Sequence, residues 1–419
     1  MKKQKKPKVK KTAKQRFKIF LKVLLSIIIV IAILFGIATC VNIVGIKSNS
    51  SFVKNSINPV SYEEQLVPAQ DADGNFEFVT DKDFRIMQLT DVHIGGGFMS
   101  IKKDNMAVNA VASMITAEKP DLVIVTGDIA YPVPFQAGTI NNKRPAILFA
   151  ELMEKLGVYW CLSYGNHDTE AYSFFTREQI SEIYTNRDKY PHCLFSTGPD
   201  SVDGCGNYVI NVKNTQGKIT QSLFMVDSHS YTDNDYFGIM WKYDCVHENQ
   251  INWYKNKVAE FTKQNNGETP KSLMFMHIPI KEFRDAFEEY RQNNFKDTEN
   301  VKYINGKLGE KEATIYCSEK NYGLFDACLE SGTQGMFFGH DHLNNLSMSY
   351  KGMLFSYGYS VDYLAYIGIQ KYGLQRGCSI ITVSPDGSFE VVKENYYQDK
   401  YQPAKAKESV TMDDYNAEE

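Results

Sequence analysis

Five short apolar runs in this 419-residue chain each lead to Asp, Asn or His. Arg85–Thr90 runs into Asp91-Val92-His93, Leu122–Thr126 into Gly127-Asp128, and Val158–Leu162 is followed by Gly165-Asn166-His167-Asp168. Ser272–Met276 runs into His277-Ile278-Pro279, and Met336–Phe338 into Gly339-His340-Asp341-His342. Such runs, alternating with helical periodicities from Asp83 onward, predict α/β layers. In open α/β sheets, ligands bind beyond the carboxyl ends of the strands, where all five clusters fall. A glycine precedes three of them, which lets the backbone turn tightly and approach an ion. Each cluster alone is weak, because a lone Gly-Asp is a turn and a lone His is more often satisfied in a core. Five in order are strong. They take five of the eight histidines and leave His192, His229 and His247 elsewhere.

The two ends of the chain differ sharply from this body. Residues 1–47 carry twelve Lys or Arg and no acid, leaving 34 basic against 50 acidic residues for the rest, a formal charge of −16. A body that acidic is a poor candidate for clinging to nucleic acid or anionic lipid, and it suits a protein built around cations. After the basic block, Val23–Ile46 run 24 residues without a charge. A helix of that length reaches roughly 36 Å, enough to cross a bilayer. The Lys/Arg bias predicts a cytoplasmic N-terminus with everything after Lys47 outside. A cleaved signal peptide would have a shorter apolar region and an Ala-x-Ala-like exit, and neither is seen. Ile37-Ala38-Thr39-Cys40 is a poor lipoprotein box because Thr precedes the Cys. The expected organisation is a basic cytoplasmic tail (1–22), a transmembrane anchor (23–46), a polar stalk (47–82), one α/β domain (83–396) and a frayed polar tail (397–419).

The ordered set D-x-H, G-D, G-N-H-D, a lone H and G-H-x-H resembles the calcineurin-like metallophosphoesterases over roughly residues 83–396. Gly309-Glu310 through Cys317-Ser318, Asn321-Tyr322-Gly323 and the Gly-rich aromatic stretch to Arg376-Gly377 are similar to the purple-acid-phosphatase-like branch. The resemblance implies an α/β fold of two packed β-sheets flanked by helices in four layers, here behind one transmembrane helix. It also implies a binuclear centre, with Asp91, His93, Asp128 and His342 on the first metal. Asp128, Asn166, His277 and His340 would hold the second, the Asp128 carboxylate bridging. Mixed imidazole and carboxylate sets suit Mn, Fe or Zn. Two such cations, about 3.5–4 Å apart, can share a hydroxide and clamp phosphoryl oxygens. His167 is the expected catalytic residue, protonating the leaving oxygen or stabilising the transition state. Asp168 either orients that imidazole or shapes the turn. Tyr131 stands where purple acid phosphatases place a tyrosinate ligand, but those enzymes lack the His that this chain has at His93. It is either a ligand or a packed aromatic.

The implied activity is hydrolysis of phosphate esters, monoesters first. The alternatives are a diesterase or pyrophosphatase acting on nucleotide or lipid-linked substrates, and a non-catalytic binding protein that keeps the fold. Asp227 and His229 end a further apolar run and could reach the crevice. The segment 250–253 (QINW) reads as a helix start whose Trp packs inward. Loops 230–246 and 292–320 are expected to wall the pocket. None of the eight cysteines forms a CxxC pair, and Cys193 and Cys205 are either bridged or free buried thiols.

Overall fold

The computed structural model describes residues 11–366, 369 and 376–406. Part of the aromatic stretch before Arg376 and the tail beyond 406 lie outside the described residues. Among the described residues, fourteen strands form two sheets. In chain order they are β1 (Ala69–Gln70), β2 (Phe76–Val79), β3 (Phe84–Leu89), β4 (Leu122–Thr126), β5 (Trp160–Ser163), β6 (Tyr208–Lys213) and β7 (Ile219–Met225). They continue with β8 (Lys271–Phe275), β9 (Val301–Asn305), β10 (Thr333–Phe338), β11 (Ser347–Tyr350), β12 (Met353–Tyr357), β13 (Gly377–Val383) and β14 (Phe389–Asn395). One sheet has nine strands in the order β1-β2-β6-β7-β8-β10-β12-β11-β9, the other five in the order β14-β13-β3-β4-β5.

The five runs that lead to ligand-type residues are the parallel strands β3, β4 and β5 of one sheet and β8 and β10 of the other. Alternation along β8 and β10 explains the layers. Leu273, Phe275 and Phe337 share a core with Ile86, Met87 and Val123 of the facing sheet. Their neighbours Met274, Met336 and Phe338 point the other way, onto Phe261, Phe283 and Phe325 of the helices Glu248–Gln264, Lys281–Gln292 and Leu324–Glu330. On the far side, Val111 and Ile115 of helix Ile101–Glu118 and Leu152 of helix Lys143–Leu156 cover the five-stranded sheet. The architecture is therefore a helix–sheet–sheet–helix α/β sandwich. Trp253 packs inward against Phe224 with ring centroids 6.0 Å apart, as its helix-start context implies.

The N-terminal helix spans Ala13–Ser56, 44 residues, with a window of mean hydropathy 3.0. It runs past the expected anchor into the segment read as a stalk, and that reading needs correction. Phe52, Val53, Ile57 and Val60 are buried in the core, and Asn49 Nδ2 lies 3.4 Å from Asp104 Oδ2. Further on, Phe78 is sealed where β2 pairs in parallel with β6. The average polarity of 47–82 conceals a few apolar residues spaced to seat on the domain. The start of the tail is likewise docked, with Tyr401 buried and its hydroxyl donating to Glu118 Oε1 at 2.9 Å. The insertion 292–320 supplies the edge strand β9. All eight cysteines are free, so Cys193 and Cys205 are not bridged; Cys205 sits beside the Ser181 hydroxyl instead.

Candidate metal centre

Where the strands stop, the backbone turns through unusual conformations. Asp91, His93, Asp128 and His340 have φ of 49°, 51°, 55° and 79°. Left-handed conformations at residues with a Cβ cost on the order of 1–3 kcal/mol each and persist only where surroundings enforce them. Here the loops enforce one another. His93 N–H donates to Asp128 O at 3.0 Å, and His340 N–H to the Asp91 carboxylate at 3.2 Å. Glycine is obligatory at two approaches. A Cβ on Gly339 would overlap the Thr90 hydroxyl, and one on Gly165 would overlap Asp128 Oδ1.

One ligand atom from each of Asp91, His93, Asp128 and His342, all buried, lies within 4.8 Å of the others. His93 Nε2 is 3.3 Å from Asp128 Oδ2, and His342 Nε2 is 3.4 Å from Asp91 Oδ1. A second group adjoins it. Asn166 Oδ1 lies 3.1 Å from His277 Nε2 and 2.9 Å from His340 Nδ1. His277 Nε2 is also 3.2 Å from Asp128 Oδ2, so that one oxygen stands between the two groups.

The donor set fits cations. His277 Nδ1 is 2.8 Å from the Thr126 carbonyl, which places its proton there and leaves Nε2 a lone pair. Asn166 Nδ2 donates to the Tyr231 hydroxyl at 3.0 Å, so the amide oxygen is the atom turned toward the histidines. Lone pairs of nitrogen, amide and carboxylate therefore confront one another, an arrangement that needs a positive charge between them. Without an ion, protons take that role. Burial opposes it, yet Asp362 and Asp128 hold the His93 imidazolium up to about 10, and Asp128 holds His277 up to about 9. Ion binding displaces those protons and is therefore favoured as pH rises.

Two carboxylates that sequence reasoning missed stand behind the rings. Asp362 Oδ1 lies 3.4 Å from His93 Nδ1 and its Oδ2 lies 3.9 Å from His342 Nδ1, so both rings turn Nε2 inward. Backbone N–H groups of Leu364, Ala365 and Tyr366 donate to this carboxylate at 2.6–2.8 Å. Burial opposes its charge, but His93 holds its pKa well below the usual range. Outer carboxylates of this kind fix ring orientation, and losing one typically costs about 10–100-fold in metal affinity. Asp362→Asn is expected to weaken metal binding by that factor in a metal titration, whereas unchanged affinity would remove this role.

Glu170 is the other. Its Oε1 lies 2.6 Å from His167 Nδ1, while Asp168 accepts N–H groups of Gly165, Asp128 and Ala130 at 2.8, 3.0 and 2.9 Å. Asp168 thus shapes the turn, and Glu170 orients the imidazole. The His167 backbone N–H donates to Asp128 Oδ1 at 2.8 Å, and its ring stands at the rim. Tyr131 stacks on His93 at 4.5 Å, and its hydroxyl donates to Gln136 Oε1 at 2.9 Å. Asp227 pairs with Arg177, which also braces Gly165 O at 3.2 Å, and His229 turns to Gln250 Oε1 at 2.8 Å. Neither Asp227 nor His229 enters the two ligand groups. Loop 230–246 does wall the centre, through Tyr231 and through Tyr243, whose ring lies 4.4 Å from His340.

Residues 84–344 match the calcineurin-like phosphoesterase family, and the chain belongs to it. It is a metallophosphoesterase with a buried Asp/His group typical of a dimetal site. Its distant homologues are purple-acid-phosphatase-like. It is 28% identical over 317 residues to the Arabidopsis thaliana protein named probable inactive purple acid phosphatase 14, covering 69% of this chain and 73% of that one. It is 26% identical to probable inactive purple acid phosphatase 29 of the same plant, covering 76% and 81%. Phosphatase DCR2 of Saccharomyces cerevisiae is 30% identical over 219 residues, 48% of this chain and 35% of that one. Among solved structures, a dimetal phosphatase from Danio rerio aligns with a TM-score of 0.48 at 11% identity, covering 76% of this chain and 98% of that one.

Proposed function

We propose that this chain hydrolyses phosphate esters, monoesters first, at a binuclear centre. Asp91, His93, Asp128 and His342 would hold one ion, and Asp128, Asn166, His277 and His340 the other. The observation that carries this reading is the single Asp128 oxygen standing within 3.3 Å of a histidine from each group. Imidazole and carboxylate donors favour Mn, Fe or Zn. Such a pair of ions, when bound, supplies Lewis acidity toward phosphoryl oxygens and acidifies a water. The chain's own part is positional. Asp362 and the Thr126 carbonyl aim ring nitrogens at the ions, and Glu170 aims His167 at the substrate.

Three relatives from Arabidopsis carry the words "probable inactive" in their names, while the yeast relative is named a phosphatase. Against the reading as a non-catalytic binding protein stands the complete ligand set of this chain. Elemental analysis of the purified protein, paired with a panel of mono- and diesters, decides between them. Two metals per chain with turnover are expected. Metal-free protein, or bound metal with no turnover on any ester, returns the chain to the binding class.

The exposed apolar tip of loop 230–246, with Tyr236, Phe237, Ile239, Met240 and Trp241, favours lipid-linked esters as a second reading. The helix Ala13–Ser56 is read as an uncleaved anchor, supported by the seating of Phe52 and Val53 in the domain core. The basic block before it supports a cytoplasmic N-terminus, with the domain outside the cytoplasmic membrane. Protease added to intact cells or spheroplasts should cut the domain on a denaturing gel; protection until lysis would reverse the orientation.

A further inference from the structure

The path from the metal centre to the membrane helix is short. His93 begins a loop whose Phe98 N–H donates to Asn42 Oδ1 on the N-terminal helix at 2.6 Å. Five residues of extended chain span at most about 18 Å, so the first ligand group lies within that reach of Phe98, which the Asn42 side chain holds. Val23–Asn42 is twenty residues, and about 20 apolar residues suffice to cross the hydrocarbon core. With Val23 as the first residue in the lipid, Asn42 stands near the level at which the helix leaves it, four residues before the end of the expected anchor.

At that level the domain exposes apolar side chains on three neighbouring segments. Phe98 and Met99 are 37% and 51% exposed beside the helix. Met99 N–H donates to Ala137 O at 3.2 Å, which brings in Phe135, 88% exposed. Phe174 N–H donates to Ile140 O at 3.1 Å, which adds a side chain 65% exposed. Exposed apolar side chains gathered on adjoining segments are a feature of interaction surfaces. The same segments border the centre, since Gln136 holds the hydroxyl of Tyr131, which stacks on His93.

We propose that Phe98, Met99, Phe135 and Phe174 form a face that lies in the headgroup layer of the bilayer crossed by the N-terminal helix. The metal centre then opens beside the lipid surface, and its substrate is a phosphate ester carried on a lipid. The face adjoins the helix through Phe98, whose N–H is held by Asn42, so a bilayer that receives the helix approaches the face as well. The substrate assignment rests on the anchor and hydrolase readings given above.

Two measurements on the full chain in nanodiscs separate the parts. In the first, Phe135→Trp and Phe174→Trp are each compared with the parent in discs of brominated phosphatidylcholine. The emission added by either tryptophan should be largely lost, whereas that added by Tyr303→Trp, on the edge strand β9, should persist. Equal quenching at all three positions, or none at 135 and 174, overturns the membrane face. This arm needs no activity, so it stands or falls apart from the hydrolase reading. In the second, Phe135→Ser with Phe174→Ser is assayed on phosphatidic acid in the disc and on a soluble short-chain phosphate. Loss of turnover confined to the lipid substrate is expected, and an equal loss on both, or on neither, overturns the substrate class.

Discussion

His167→Ala should keep its metals and lose roughly 10²–10⁴-fold in turnover, the range of a positioned acid–base group. The side chain stands 22% open to solvent, whereas His93 and His277 are sealed at 0%. Its Nδ1 is taken by Glu170 at 2.6 Å, which leaves Nε2 for the substrate. The loss should shrink for esters with good leaving groups such as nitrophenolate, which need little protonation. Metal analysis beside kinetics on two leaving groups separates the cases. Loss of a metal would make His167 a ligand, and a defect independent of leaving group would make it an electrostatic clamp.

Asp128→Asn should do more damage still, lowering the metal content of both groups and taking turnover to background. The change keeps the side-chain shape, and an amide can still accept the His167 N–H. It removes the negative charge that faces His93 and His277 at 3.3 and 3.2 Å. An outer carboxylate such as Asp362 acts on its ions through the rings, while Asp128 touches both groups directly. Metal content measured by elemental analysis is the test. A variant that retains two ions per chain would remove Asp128 from its bridging place.

Much of the architecture was legible in the chain because two periodicities coincide with one chemistry. The strands announced themselves as short apolar runs, and all five deliver Asp, Asn or His to one crevice between the sheets. What escaped notice has physical reasons. Asp362 belongs to no motif, and only the fold of the loop after β12 carries it behind His93 and His342. Asp168 was an even choice between two roles, because adjacency in sequence does not say which carboxylate reaches a ring. Glu170, three residues on from His167, reaches it across the single turn His167–Thr169. The segment 47–82 misled through its average composition, since Phe52, Val53, Ile57, Val60 and Phe78 are few among many polar residues yet all are buried.

Those same residues change what a cut in the chain would do. On a flexible tether, one nick sheds a domain from its membrane. Here a break in the exposed turn at residues 72–74 would sever the covalent link and leave Phe52, Val53, Ile57 and Val60 seated in the core. Withdrawing each such side chain costs about 1.5–3 kcal/mol. With the helix as the anchor proposed above, the severed domain would remain on the membrane, gripped by the stump of that helix, until it unfolds.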